Sequence, residues 1–312
     1  MATVGLTGCG LGNAGMDKEY DAYSYHNSYT NQNNSVNADY YAKDLCVTNA
    51  INFGTEGTYA EVAQGGGVFN VTTQEVLYNQ NLFKKLYPAS TTKILTAYVI
   101  IKDCDLNDVV TVSESAVDQP RDSSTCGLNA GDNITVNDLL YGLMLHSGND
   151  AAEALAEYHS GSIEAFAEVM TKEAHKLGAT NSNFKNPSGL PDKEHYTSVY
   201  DMYLIFNEAI KQDKFVEVIS AKTKNVVYTN TSGNTVEKTF RNSSRYKLGT
   251  VEAPEGFEIV GGKTGTTYDA GYCLVLYSKN PEGQDIISIV FKADGPHNLY
   301  LLMNQILDKY AK

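Results

Sequence analysis

Hydrophobic positions change period several times along this chain, and each change marks a different kind of element. Gly67-Val68-Phe69-Asn70-Val71 and Glu75-Val76-Leu77-Tyr78, split by Thr72-Thr73-Gln74, predict a β-hairpin. After Pro88 the spacing turns helical: Ile94, Leu95, Ala97, Tyr98, Ile100 and Ile101 give a broad apolar face to a helix starting at Ser90. Helical patterning continues through Val136–Leu145 and Asp150–Glu157 to about Leu177. Asn225–Thr229 and Val236–Phe240, separated by Ser232-Gly233-Asn234, predict a second hairpin projecting from the body. Glu258–Gly262, Tyr272–Tyr277 and Asp285–Lys292 read as strands, and a terminal helix runs from about His297 to Tyr310. Strands from both ends around a helical middle imply an α+β fold. An antiparallel sheet is packed by helices, with a mainly helical second lobe and a cleft at the seam.

The stretch from Asn13 to Asn49 has no such period. It is polar, rich in Tyr, Asn, Ser and Asp, and cannot bury enough apolar surface to order itself. Residues 1–55 are therefore expected to form a flexible tether and residues 56–312 the folded domain. With 312 residues, 42% of them hydrophobic, the chain can build one large core or two lobes. A net charge of −13 argues against a nucleic-acid partner. No run of 18 apolar residues exists, so no transmembrane helix is expected.

Three short segments carry the chemistry: Ser90-Thr91-Thr92-Lys93, Ser147-Gly148-Asn149 and Lys263-Thr264-Gly265-Thr266. Ser90 falls at a helix N-terminus with Lys93 one turn later on the same face. A serine hydroxyl needs a base, and a lysine serves only if burial or a second cation lowers its pKa. Lys263 is a candidate for that second cation. Ser147-Gly148-Asn149 joins two helices, where a hydroxyl and a carboxamide can face a cleft. Lys263 lies on a strand at the edge of the sheet, and Gly261, Gly262 and Gly265 keep that strand low so that a substrate backbone can approach. Each segment alone has a plain structural reading: an N-cap, a polar αα-turn, a protective edge lysine. Their joint order matches the S-x-x-K, S-[DG]-N and K-T-G elements of β-lactamases and penicillin-binding proteins.

Longer strings make the likeness more specific. Pro88–Ala97, Gly142–Ala152, Gly262–Val275 and the Asn186-Pro187-Ser188-Gly189-Leu190 loop resemble the serine-type D-alanyl-D-alanine carboxypeptidases, the low-molecular-mass penicillin-binding proteins, from about Gly66 onward. The resemblance implies that Ser90 attacks the carbonyl between two D-alanines of a peptidoglycan stem peptide, with Lys93 as base. Ser147, bridged to Lys93 or Lys263, would relay a proton to the leaving D-alanine, and Asn149 would hold the peptide amide. Lys263 would supply positive potential, Thr264 and Thr266 would bind the terminal carboxylate, and the N–H groups of Ser90 and Thr266 would form an oxyanion hole flanking Gly265. β-Lactams would acylate the same serine.

The sequence departs from the family in one place. Such enzymes usually carry an arginine at the start of the last helix, whereas here that stretch reads Asp294-Gly295-Pro296-His297-Asn298. Carboxylate docking then rests on Lys263 and the threonines, or His297 partly substitutes. Two other readings share the motifs. A class A-like β-lactamase adds a loop glutamate, and Asn181–Pro187 contains none. A non-catalytic binder of cell-wall peptide or β-lactam is opposed by the intact Ser90, Lys93 and Lys263.

Leu6-Thr7-Gly8-Cys9 resembles a lipobox, so Cys9 is expected to carry lipid and attach the protein to the bacterial surface, outside the cytoplasm. Met1–Val4 is too short for a basic region and an apolar stretch, so a trimmed signal or a miscalled start is expected. A Cys104–Cys126 bridge is a possible pairing, and Cys273 reads as a core residue. No C-x-x-C or H-E-x-x-H occurs, so neither a metal nor a cofactor is expected.

Overall fold

The computed structural model describes Ala42 and residues 44–312. Asp44–Lys312 forms one compact unit, and Cys9 with its lipobox-like neighbours lies outside the described residues. Residues 44–55, expected in the tether, lie on the body. Cys46 is buried and its N–H donates to the Tyr203 hydroxyl at 2.8 Å, while Phe53 bridges to Asn79.

The expected first hairpin is β1 (Gly65–Asn70) with β2 (Glu75–Gln80). A tight 3₁₀ turn, Ala89–Thr92, leads into α1 (Lys93–Asp103). The middle of the chain holds β3 (Val109–Thr111), α2 (Glu114–Val117), β4 (Asn133–Thr135) and α3 (Val136–Tyr141). α3 runs into a π-helical turn at Gly142–His146, followed by α4 (Asn149–Ser160), α5 (Ile163–Lys176), α6 (Val199–Ala209) and α7 (Asp213–Ser220). Then come β5 (Thr223–Thr229), β6 (Thr235–Arg241), α8 (Arg245–Leu248), β7 (Glu258–Thr267), β8 (Gly271–Lys279), β9 (Asp285–Ala293) and α9 (Pro296–Tyr310). Thr135, Ser162 and Ser198 cap α3, α5 and α6 by accepting N–H bonds of Asp138, Ala165 and Asp201. No helix among the described residues is long and apolar enough to cross a membrane.

β2-β1-β9-β8-β7 is the strand order of a five-stranded sheet whose neighbours are all antiparallel. Strand alternation sends its residues to two cores. Phe69, Val275, Ile287, Ile289 and Phe291 join the large core built with α1, α4 and α6, where Phe69 stacks on Tyr203 at 4.1 Å. Val68, Leu274, Leu276 and Val290 face the other way, under Leu302, Met303 and Ile306 of α9. Each such fully buried side chain contributes ~1.5–3 kcal/mol. α1 is buried on every side from Lys93 to Ile100, so it is the central helix and not a surface one. The alanines of α4 (Ala151, Ala152, Ala154 and Ala156) are buried in the same core.

Three expectations change. The block from Ser90 to Leu177 is not wholly helical, because β3 and β4 interrupt it; three residues each are too few to show a period. These strands extend the second hairpin into a four-stranded sheet, β3-β4-β5-β6, so β5 and β6 do not stand alone. Cys104 and Cys126 are both free thiols: Cys104 follows α1, while Cys126 is buried against the Ser147–Asn149 loop. Cys273 is a core residue, as read.

Asp150 ties that loop to the chain before β4. Its carboxylate accepts from the backbone N–H groups of Cys126, Leu128 and Ala151 at 2.8, 3.1 and 2.9 Å. Replacing it by alanine leaves these buried donors unpaired. Asp150→Ala should destabilise the domain by about 2–3 kcal/mol and lower its melting temperature by roughly 5–10 °C; thermal unfolding followed by circular dichroism checks this, and an unchanged midpoint would refute the bracing role.

Candidate active site

The three motifs converge at the seam. The 3₁₀ turn presents Ser90 half-buried, and Lys93, the first residue of α1, lies wholly inside. Lys93 Nζ has three partners: Ser90 Oγ at 3.1 Å, Asn149 Oδ1 at 2.7 Å and the Ser188 carbonyl at 2.8 Å. Because an ammonium or amine faces Asn149, the carboxamide must turn its oxygen inward, which leaves its NH₂ free to donate elsewhere. Ser147 is held in a left-handed conformation (φ 62°) at the end of the π-helical turn, and its hydroxyl accepts from Lys263 Nζ at 3.0 Å. Of the two bridges expected for Ser147, this is the one observed. Lys263 also donates to the Thr264 carbonyl at 2.8 Å.

β7 is the edge strand. Lys263 pairs with Val275 and Gly265 with Cys273, so both face the helical core; Thr264 and Thr266 pair with Leu274 and Tyr272 on the other side. Thr266 is exposed at the rim. Thr264 Oγ1 lies 3.0 Å from the hydroxyl of Ser243, a residue the sequence reading missed. Beyond Thr266 the rim opens on a cleft of about 430 Å³ whose lining includes Thr267, Tyr268 and Lys292. His297 is exposed on the first turn of α9.

The glycines of β7 also meet the protein's own backbone. A Cβ on Gly265 would lie 2.9 Å from Pro88 O, Ser90 N and Thr91 N, and one on Gly261 would lie 2.2 Å from Ile219 O. Gly265 lets the turn carrying Ser90 close on the strand, and Gly261 does the same for the end of α7.

Burial dominates the electrostatics. Lys93 is pushed well below the ordinary lysine range, chiefly by desolvation and next by the charge of Lys263; Cys126, Asp150 and Glu153 oppose this. Lys263 is lowered to about 7 by desolvation. Both amines are thus biased toward the neutral form by their burial, and at Lys93 the neighbouring Lys263 charge adds to the effect.

The loop Asn186–Leu190 closes the inner wall. Asn186 Oδ1 accepts N–H bonds from Ser188, Gly189 and Leu190 at 3.2, 2.7 and 3.2 Å, which shapes the turn that aims the Ser188 carbonyl inward. The sequence marked this loop through its Asn-Pro-Ser-Gly turn chemistry, but not its contact with Lys93, 95 residues away.

An antiparallel sheet flanked by helices, with serine, lysine and a second lysine meeting at its edge, is the architecture of the serine DD-peptidases and penicillin-binding proteins. Residues 62–295 match the family described as D-alanyl-D-alanine carboxypeptidase, peptidase S11, and the chain belongs to that family. It is 34% identical over 258 residues to the D-alanyl-D-alanine carboxypeptidase DacF of Bacillus subtilis, covering 80% of this chain and 62% of that protein. With DacC of Escherichia coli it shares 36% identity over 228 residues, 70% of this chain and 54% of the relative. The chain thus spans between about half and two thirds of these relatives' length. The crystal structure of the Streptomyces K15 DD-transpeptidase superposes with a TM-score of 0.73 at 28% identity, over 79% of this chain and 96% of that one.

Gly189 is the tightest point of the site. It has φ 85°, and a Cβ there would lie 1.9 Å from the Ala89 carbonyl oxygen. Gly189→Ala must displace either the loop or the turn carrying Ser90. We expect it to reduce reaction of Ser90 with an acylating ligand by about two orders of magnitude, since misplacement by roughly 1 Å has that effect; stopped-flow acylation measures it, and a wild-type rate would show the contact to be unimportant.

Proposed function

We propose that the protein is a serine D,D-carboxypeptidase that removes the terminal D-alanine from peptidoglycan stem peptides through an acyl-enzyme on Ser90. One observation carries the reading: the hydrogen-bond count at Lys93. A neutral amine has two N–H groups and one lone pair. Asn149 Oδ1 and the Ser188 carbonyl accept the two N–H bonds, so the lone pair is left for the Ser90 hydroxyl at 3.1 Å. Burial supplies the low pKa that keeps the amine neutral.

In this mechanism Ser90 Oγ forms a bond to the carbonyl carbon of the penultimate D-alanine as its proton passes to Lys93. The N–H groups of Ser90 and Thr266 hold the oxyanion, and the approach of Gly265 to Ser90 N supports their convergence. The C–N bond then breaks. Ser147 passes a proton from the Lys263 ammonium to the departing amine; water then attacks the ester, giving a proton back to Lys263 through Ser147 while Lys93 returns its proton to Ser90. Asn149 uses its free NH₂ on the substrate amide. Lys263, Thr264 and Thr266 receive the terminal carboxylate in place of the family's arginine. β-Lactams mimic the substrate and acylate Ser90. The site of action is outside the cytoplasm, at the cell wall; attachment through a lipidated Cys9 is an expectation on a residue outside the described ones.

Incubation with penicillin should place a single adduct on Ser90, mapped by peptide mass spectrometry. It should persist for minutes or longer, because the loop Asn181–Leu190 carries no glutamate to activate water, while a D-Ala-D-Ala peptide releases D-alanine repeatedly. An adduct elsewhere sinks the mechanism, and rapid turnover of penicillin identifies a β-lactamase instead.

The two lysines separate by substitution. Lys93→Ala should abolish acylation at every pH while leaving noncovalent binding nearly intact. Lys263→Ala should weaken carboxylate ligands and move the rising limb of the acylation–pH profile upward, because a neighbouring positive charge that depresses the Lys93 pKa is gone. In the unaltered protein, affinity for carboxylate ligands should decline as pH rises through about 7, where free Lys263 loses its proton. Near-normal acylation by Lys93→Ala would reassign the base.

A further inference from the structure

The loop from Asn183 to Thr197 bonds to α1 and the turn before it at three points. Thr96 Oγ1 donates to the Pro187 carbonyl at 2.7 Å, and Lys93 Nζ donates to the Ser188 carbonyl at 2.8 Å. At the third point Thr92 Oγ1 and His195 Nε2 lie 2.9 Å apart. Thr92 and His195 are both buried, so water cannot replace either partner. The His195 ring stands edge-on to Phe184, with ring planes at 85°. Its other nitrogen, Nδ1, accepts the Lys185 N–H at 3.2 Å. A neutral ring that accepts at Nδ1 carries its proton on Nε2, so His195 is the donor and Thr92 the acceptor. Burial lowers its pKa to about 4; the charge of Lys93 acts in the same sense and Asp192 opposes.

The rigid imidazole thus spans from loop backbone at Lys185 to the side chain two residues after Ser90. We propose that His195 is a positioning residue for the reaction: by pinning the loop to Thr92 it aims the Ser188 carbonyl at Lys93 and so turns the lysine's lone pair toward Ser90. This rests on Lys93 being the base. If the Ser188 carbonyl drifts, an N–H can rotate into the place of the lone pair. Water also gains access to the amine, restores part of its solvation and raises its pKa. Both effects slow acylation and leave the contacts of Thr264 and Thr266 with ligand untouched. Other ties hold the rest of the loop: the backbone pairs Asn183–Tyr196 and Leu86–Thr197 at its ends, Thr171 on Phe184, Asn186 within the turn and Thr96 on the Pro187 carbonyl; the His195 contact joins its second limb to the turn that carries Ser90.

The test uses Thr92→Val, which is nearly isosteric and removes the acceptor, Thr92→Ser, which keeps it, and His195→Phe and His195→Gln. A chromogenic cephalosporin in stopped flow gives noncovalent affinity and acylation rate separately across pH, with melting temperature recorded alongside. We expect Thr92→Val and His195→Phe to acylate about tenfold to a hundredfold more slowly, with unchanged affinity and with the rising pH limb displaced upward. Thr92→Ser should recover the wild-type profile. His195→Gln, which retains a donor, should fall between and decides the matter if His195→Phe fails to fold. Wild-type rates and limb in Thr92→Val overturn the proposal, as does a slower rate that follows melting temperature with the limb unmoved. Failure of the base assignment itself is read separately, from wild-type adduct mapping and Lys93→Ala.

Discussion

A lysine nitrogen cannot be taken out of water without partners for its hydrogens, and Lys93 is taken out completely. That requirement organises the site. Its hydrogen-bond partners come from three separate places: the turn before α1, the N-terminus of α4 and the loop after α5. None of these can shift alone without leaving a buried amine unsatisfied. Lys263 poses the same problem on the opposite wall, and Ser147 together with the Thr264 carbonyl answers it. The cleft therefore holds a pair of desolvated amines, both tied to the Ser147–Asn149 loop, with the hydroxyls of Ser90 and Ser147 beside them.

Holding those partners in place has a conformational cost. Ala89, just before Ser90, and Ser147, two residues before Asn149, both occupy the left-handed region, with φ of 47° and 62°. Such residues cost on the order of 1–3 kcal/mol each and persist only where packing over-determines them. Here the Ala89 carbonyl meets Gly189, and the Ser147–Asn149 loop is anchored by Asn149 N–H to the Ser124 carbonyl and by Asp150. The strain sits at the two positions that aim hydroxyls into the cleft, and the surrounding core offsets it.

Much of this was readable in the chain. The long periodic segments, the two hairpins, the terminal helix and the central place of Ser90, Lys93, Ser147, Asn149 and Lys263 all follow from local pattern and motif order. Contacts across large sequence distances did not. His195 meets Thr92 across 103 residues and Ser243 meets Thr264 across 21, and neither pair has a local signature. β3 and β4 are too short to alternate visibly, and their pairing is set by tertiary placement. Residues 44–55 look like the polar segment before them, yet Cys46 and Phe53 find partners on the body. Nor does the sequence show that the turn carrying Ser90 lies against Gly265 of β7.

The strand order β2-β1-β9-β8-β7 has a consequence for how the molecule comes into being. β9 lies between β1 and β8, so the first hairpin cannot join the sheet until residues 285–293 have been made. Contacts of such sequence separation pay their loop-closure entropy late and slow the search for the native state. Lys263 follows Lys93 by about 170 residues, and the edge strand β7 that carries it is tied to β1 only through β8 and β9. A chain that stops before β9 therefore carries all three motif segments but lacks the strand that joins the two halves of the sheet.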